Sequence, residues 1–84
     1  MVADREEPMR AYVFVNVQTG KVQQVVKAFA QIPGVKTVDA CWGRPDIIAQ
    51  VEVADQKELS TLVLSMMQKF PAVVSTDTHI VIEA

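Results

Sequence analysis

Cysteine is nearly absent. Cys41 stands alone, which excludes an internal disulfide and a cysteine-rich zinc site and fits a reducing compartment. Histidine is equally scarce, and His79, Cys41 and the scattered carboxylates show none of the short spacings that zinc ligation needs, so no metal is expected. Glycine occurs only at Gly20, Gly34 and Gly43, isolated each time, so there is no phosphate-cradling loop and no cofactor is expected. Basic charge is not in excess: 8 Lys and Arg stand against 10 Asp and Glu, a formal charge of −2. That leaves no cationic field for a polyphosphate backbone, and direct nucleic-acid binding is not expected. Long apolar runs are missing too, which excludes a bilayer span, and the first ten residues carry charges where a signal peptide needs hydrocarbon. These absences point to a cytoplasmic protein.

What is present is a patterned apolar half of an 84-residue chain. Residues 1–10, polar and broken by Pro8, read as a flexible leader, and residues 11–84 as one domain. Residues 11–18 form a strand in which Val13, Val15 and Val17 point one way and Tyr12 and Phe14 the other. Val22, Val25, Val26, Phe29 and Ile32 then recur at helical spacing until Pro33 and Gly34 stop them. Two extended segments, 35–42 and 47–53, flank a turn at 43–46. Asp55 and Glu58 open a second helix with its stripe at Leu59, Leu62, Val63, Met66 and Phe70, and Pro71 ends it. Residues 73–82 form a last strand, with Val74, Thr76, Thr78, Ile80 and Ile82 on one side.

The order is βαββαβ, an α+β ferredoxin-like fold. Right-handed crossovers place the first and third strands centrally, the fourth beside the first, and both helices on one face of an antiparallel sheet. The other face is left bare with Tyr12, Phe14 and some aliphatics of the third and fourth strands, more apolar area than a small domain leaves wet. A second sheet is expected to cover it. The RNA-binding version of this topology needs exposed aromatics on central strands, and residues 47–53 contain none.

Chemistry-bearing residues are few. His79 and Asp77 share a strand face and have the geometry of a carboxylate-oriented base, but a solitary histidine with no nucleophile beside it is more often structural. Cys41 reads as a small strand thiol with no neighbour to lower its pKa. The helical stripes and the pair Met66 and Met67 read as packing. The densest chemistry is at 42–46, Trp-Gly-Arg-Pro-Asp, which offers apolar contact, free N–H groups and both charges, as recognition of a zwitterion requires. The same composition is ordinary turn chemistry.

Four stretches carry a resemblance: Ala-Tyr-Val-Phe-Val-Asn-Val at 11–17, Ile-Pro-Gly-Val at 32–35, Gly-Arg-Pro-Asp-Ile at 43–47 and Ser-Thr-Asp-Thr at 75–78. From Ala11 to Glu83 the chain resembles the effector-binding (RAM) domain of the Lrp/AsnC amino-acid-responsive regulators. The resemblance implies a dimeric α/β barrel with two sheets face to face, further assembly into higher oligomers, and an amino acid bound between dimers. It also implies a binding site of Trp42, Gly43, Arg44 and Asp46 on one subunit with Thr76 and Thr78 of a neighbour, and no catalytic residue. Asp46 would meet the ligand's ammonium group; the backbone near Gly43, with help from Arg44, would meet its carboxylate. Ten residues before the first strand are too few for a helix-turn-helix, so a stand-alone module is expected, acting as a homo-oligomer or with full-length Lrp/AsnC regulators. Two alternatives share the topology. One is a small dimeric α/β-barrel enzyme, a monooxygenase or isomerase with a cavity lined by His79, Asp77, Tyr12 or Cys41; the other is an ACT-like regulatory domain, whose acidic-Pro-Gly turn is replaced here by Gln-Thr-Gly-Lys at 18–21.

Overall fold

From Ala11 onward every second residue of β1 (Met9–Val17) is buried, with Ala11, Val13 and Val15 at 0 % relative exposure. This strand is the spine of the fold in the computed structural model, which describes residues 8–82. After it come α1 (Val22–Phe29), β2 (Val35–Ala40), β3 (Ile47–Val53), α2 (Gln56–Gln68) and β4 (Val73–Ile80). They build one sheet of order β2-β3-β1-β4 with every pairing antiparallel, the βαββαβ arrangement the sequence predicts.

Local chemistry accounts for most boundaries. Asp55 caps α2 by accepting from the Glu58 amide at 2.8 Å, while the Glu58 carboxylate accepts from the Ala54 amide at 2.6 Å, so two free amides at the helix start are satisfied reciprocally. Its buried stripe is Leu59, Leu62 and Met66. The first helix buries Val25 and Phe29, and the Phe29 ring meets Phe70 edge to face with centroids 5.2 Å apart. Gly34, at φ +98°, lets the chain pass close under α2: a Cβ there would meet Leu62 Cδ1 at 3.0 Å and the Glu52 carbonyl oxygen at 3.2 Å.

Several boundaries differ from expectation, among them the ends of β2, at Ala40 rather than Trp42, and of α2, at Gln68 short of Phe70. β1 begins at Met9 rather than Ala11, because Met9 and Arg10 already lie opposite Val53 and Glu52. The end of the expected leader therefore belongs to the sheet, and residues 1–7 lie outside the described residues. α1 stops at Phe29 rather than beside Pro33. The amides of Gln31 and Ile32 turn to the carbonyls of Ala28 and Phe29, a tightened turn that leaves Ile32 only half-buried. β4 ends at Ile80, after which the Val81 amide donates to the Arg10 carbonyl at 2.9 Å.

Register assigns the faces. Tyr12 lies opposite both Gln50 and His79, and Phe14 opposite Ile48 and Asp77, so these residues share the face the helices leave open. Val15 lies between Ile47 and Thr76, and Val13 between Ala49 and Thr78, which sends Thr76, Thr78 and Ile80 to the helix side. The expectation that aliphatics of the fourth strand line the open face is therefore corrected. That strand contributes Ser75, Asp77 and His79 there, and the third contributes Ile48.

Candidate functional site

The turn between β2 and β3 is bound into the sheet at Asp46. Its carbonyl accepts from the Cys41 amide at 2.8 Å, its amide donates to the Val15 carbonyl at 3.1 Å, and its carboxylate Oδ2 accepts from the Val17 amide at 2.9 Å. The last bond has a local cause. β1 shifts register against β4 between Asn16 and Val17, and Asp46 supplies an acceptor to the amide at that irregularity. Asn16 adds to the fastening: its Oδ1 lies 3.3 Å from the Asp46 amide and its Nδ2 donates to Ser75 Oγ at 3.2 Å.

Beyond this anchor the turn stands clear of the protein. Trp42 is 104 % exposed relative to an extended reference, Gly43 sits at φ +88° with no heavy atom within 4 Å of where a Cβ would be, and the Arg44–Pro45 peptide is cis. Arg44 is exposed and Asp46 half-buried. The 42–46 segment thus holds an aromatic ring, an unobstructed backbone, a guanidinium and a carboxylate on a loop anchored at Asp46.

The two threonines are not part of this cluster within one protomer. Thr76 donates to Met67 Sδ at 3.4 Å, and Thr78 lines an open groove of about 450 Å³ with Gln56, Leu59, Ser60, Val63, Leu64 and Ile80. Both face the helix side at the β4 edge, across β1 from the turn. The residues that join the turn to β4 in the same chain are Asn16 and Ser75, which sequence reading passed over. The one signal was a lone asparagine inside an otherwise valine-rich strand.

On the open face, His79 Nε2 lies 3.2 Å from Asp77 Oδ2 and its ring is 4.7 Å from that of Phe14. Cys41 is not among them; it lies at the end of β2, where its thiol meets the Asp39 carbonyl at 3.8 Å. The four residues a catalytic cavity would need are therefore not brought together. Among the described residues no cluster of His, Cys, Asp or Glu can hold a metal ion, and no helix is long and apolar enough to cross a membrane.

Comparison with known proteins bears on the fold and the family. The family model of the Lrp/AsnC ligand binding domain matches residues 10–84. A curated relative, the uncharacterized HTH-type transcriptional regulator PH0140 of Pyrococcus horikoshii, is 37% identical over 70 residues, which are 83% of this chain and 44% of the regulator. The chain thus spans less than half the length of that relative. Among solved structures, TTHA0845 from Thermus thermophilus superposes with a TM-score of 0.84 at 28% identity, over 90% of this chain and 95% of that one. The fold alone is shared with the transcriptional regulator NMB0573 of Neisseria meningitidis, whose structure is an L-Met complex: TM-score 0.77, 19% identity, 89% of this chain and 50% of that one. The match to a ligand binding domain model and the curated relative's being a transcriptional regulator remove the enzyme and ACT-like alternatives. The chain belongs to the Lrp/AsnC ligand-binding domain family.

Proposed function

We propose that the protein binds a free amino acid in a site completed by two protomers, and that occupancy is read out through assembly with further copies or with full-length regulators of the same family. Asp46 takes the ligand's ammonium group. The backbone at Gly43 and the Arg44 guanidinium take its carboxylate, and Thr76 and Thr78 of a neighbouring protomer close the site. The protomers pair through the helix-free face around Tyr12, Phe14 and Ile48, which is where a chain this short gains the burial it lacks alone.

One observation carries this reading: the 42–46 turn is fastened at Asp46 by backbone and side-chain bonds to β1, yet projects its chemistry into solvent. Such preorganisation lowers the cost of ordering a binding loop. Matching to a ligand-binding domain model, and the L-Met complex of the Neisseria regulator, support an amino acid as the class of ligand.

The test is a thermal-shift screen across the proteinogenic amino acids followed by calorimetry on Asp46→Asn. A ligand that binds only the folded form raises Tm by mass action. Asparagine preserves an acceptor for the Val17 amide while removing the charge, so binding falls by about 2–5 kcal/mol with the fold intact. Unchanged affinity in folded Asp46→Asn removes this residue from the site.

A further inference from the structure

His79 is the one histidine of the chain, and ligand binding at the 42–46 turn makes no use of it. It stands on the helix-free face of β4, directly opposite Tyr12 on β1, while Asp77 lies opposite Phe14. The imidazole touches both neighbours: its ring centroid is 4.7 Å from that of Phe14, and its Nε2 is 3.2 Å from Asp77 Oδ2. In a single protomer the pair is wet, with side-chain exposures of 53 % for His79 and 73 % for Asp77, so water screens it and it contributes little. The ring contact changes that on pairing. A surface laid over Phe14 also covers His79 and takes Asp77 out of bulk water.

Covered, the two protonation states of the imidazole are no longer equivalent. Beside a neutral ring Asp77 enters the contact as a bare charge, which is costly to bury; beside a protonated ring it enters as a hydrogen-bonded ion pair with no net charge. The rest of the face points the same way. Among the described residues its other charged groups are Arg10 on β1, opposite Glu52 on β3, Lys36 on β2, 3.8 Å from Glu52, and Asp39 on β2, opposite Ile48. Arg10 stands beyond His79 from Asp77, and Tyr12 brings only a phenol. With His79 neutral, the three carboxylates Asp39, Glu52 and Asp77 face two cations, Arg10 and Lys36; with His79 protonated the face is balanced. Two copies of one face bring like charge to like charge, so balance removes a mutual repulsion.

We propose that the sheet-to-sheet contact is a proton switch: two copies pair through this face with His79 protonated against Asp77, and the contact weakens as that proton is lost. Histidine is the side chain that ordinarily changes charge between about pH 5 and 8, a range in which carboxylates as a class stay ionised. Each protomer takes up a proton on pairing, so by linkage the dimer is strongest on the acid side of that range and weakens as pH rises through it. The inference rests on the paired sheets of the proposed function and on no part of its ligand site.

Sedimentation equilibrium at about pH 6 and about pH 8, at one ionic strength, tests it on the wild-type protein, His79→Gln and Asp77→Asn, with circular dichroism to show that each is folded. The wild-type dimer is expected to be about tenfold or more tighter at the lower pH. His79→Gln loses the dependence. Asp77→Asn reverses it, because a covered imidazole with no carboxylate beside it favours its neutral form, so that dimer tightens as pH rises; a purely structural role for the pair predicts no such reversal. Since His79 is the only histidine, its ring protons report it directly by NMR: concentrated, dimeric protein should keep the imidazole protonated at a pH where dilute protomer has lost the proton. A wild-type dimer whose affinity ignores pH or rises with it, a dependence that survives in His79→Gln, or an Asp77→Asn dimer that still weakens with rising pH overturns the switch and leaves the paired sheets standing. A wild type that is monomeric at every pH ends the paired-sheet reading and the switch together.

Discussion

The two faces of β1 are written by alternate residues of one nine-residue strand, and they have opposite fates. Ala11, Val13 and Val15 share one core with residues of both helices and lose all contact with water; Tyr12 and Phe14, interleaved with them, lie opposite residues of β3 and β4, and Asn16 meets Ser75 and the Asp46 amide. The first face is a finished core, closed by Phe29, Ile47 and Met66. The second is half-finished: Phe14 leans on His79, Tyr12 stays exposed, and charged groups such as Asp77 and the Lys36–Glu52 pair at 3.8 Å stand at its margins.

Substitutions on the two faces should separate these roles. Val13→Asp places an unpaired carboxylate in the core, costing about 4 kcal/mol or more, a large share of the whole stability of about 5–15 kcal/mol typical of a domain. Circular dichroism should show an unfolded chain. Tyr12→Glu with Phe14→Glu should instead leave a folded protomer that light scattering finds monomeric, since Tyr12 is exposed and Phe14 only half-buried in the single chain. Unfolding of the double variant and a dimeric double variant are both contrary to this account.

Smaller effects sharpen the contrast between core and site. Asp46→Ala strands the Val17 amide and should cost about 1–3 kcal/mol of stability, whereas Asp46→Asn should unfold near the wild-type midpoint in urea. The two variants thus divide the brace from the ligand contact. Asp55→Ala removes the α2 cap, for which about 1 kcal/mol is expected, read as a lowered Tm with no change in ligand affinity.

Much of the fold was legible because period-two and helical spacings are local. The alternation in β1, the Asp55 and Glu58 start of α2 and the punctuation at Gly34 each act within a few residues of themselves. The helix end at Phe29 was misread because Ile32 continues the apolar stripe even though the chain has already tightened into a turn. For β4, alternation grouped Thr76, Thr78 and Ile80 correctly but missed the register shift that puts Val73 rather than Val74 opposite Val17, and carried no information on which side of the sheet they face; that is fixed by Val15 pairing with Thr76, some sixty residues away in sequence. The site was legible in composition and not in wiring. Nothing local to Asp46 announces that its carboxylate serves the Val17 amide, 29 residues distant, or that Asn16 and Ser75 extend the same line of bonds.

The central claim, a ligand site shared between protomers, is tested most directly by mixing two inactive variants. Asp46→Asn damages the turn side and Thr78→Val the closing side, each without changing side-chain shape. Calorimetry with the amino acid found in the screen should show no binding to either protein alone. After they are unfolded and refolded together, a fraction of sites pairs an intact turn with an intact Thr78, and binding should return at wild-type affinity with reduced stoichiometry. Binding that stays absent in a mixed, fully assembled sample would place the whole site within one chain and contradict the account.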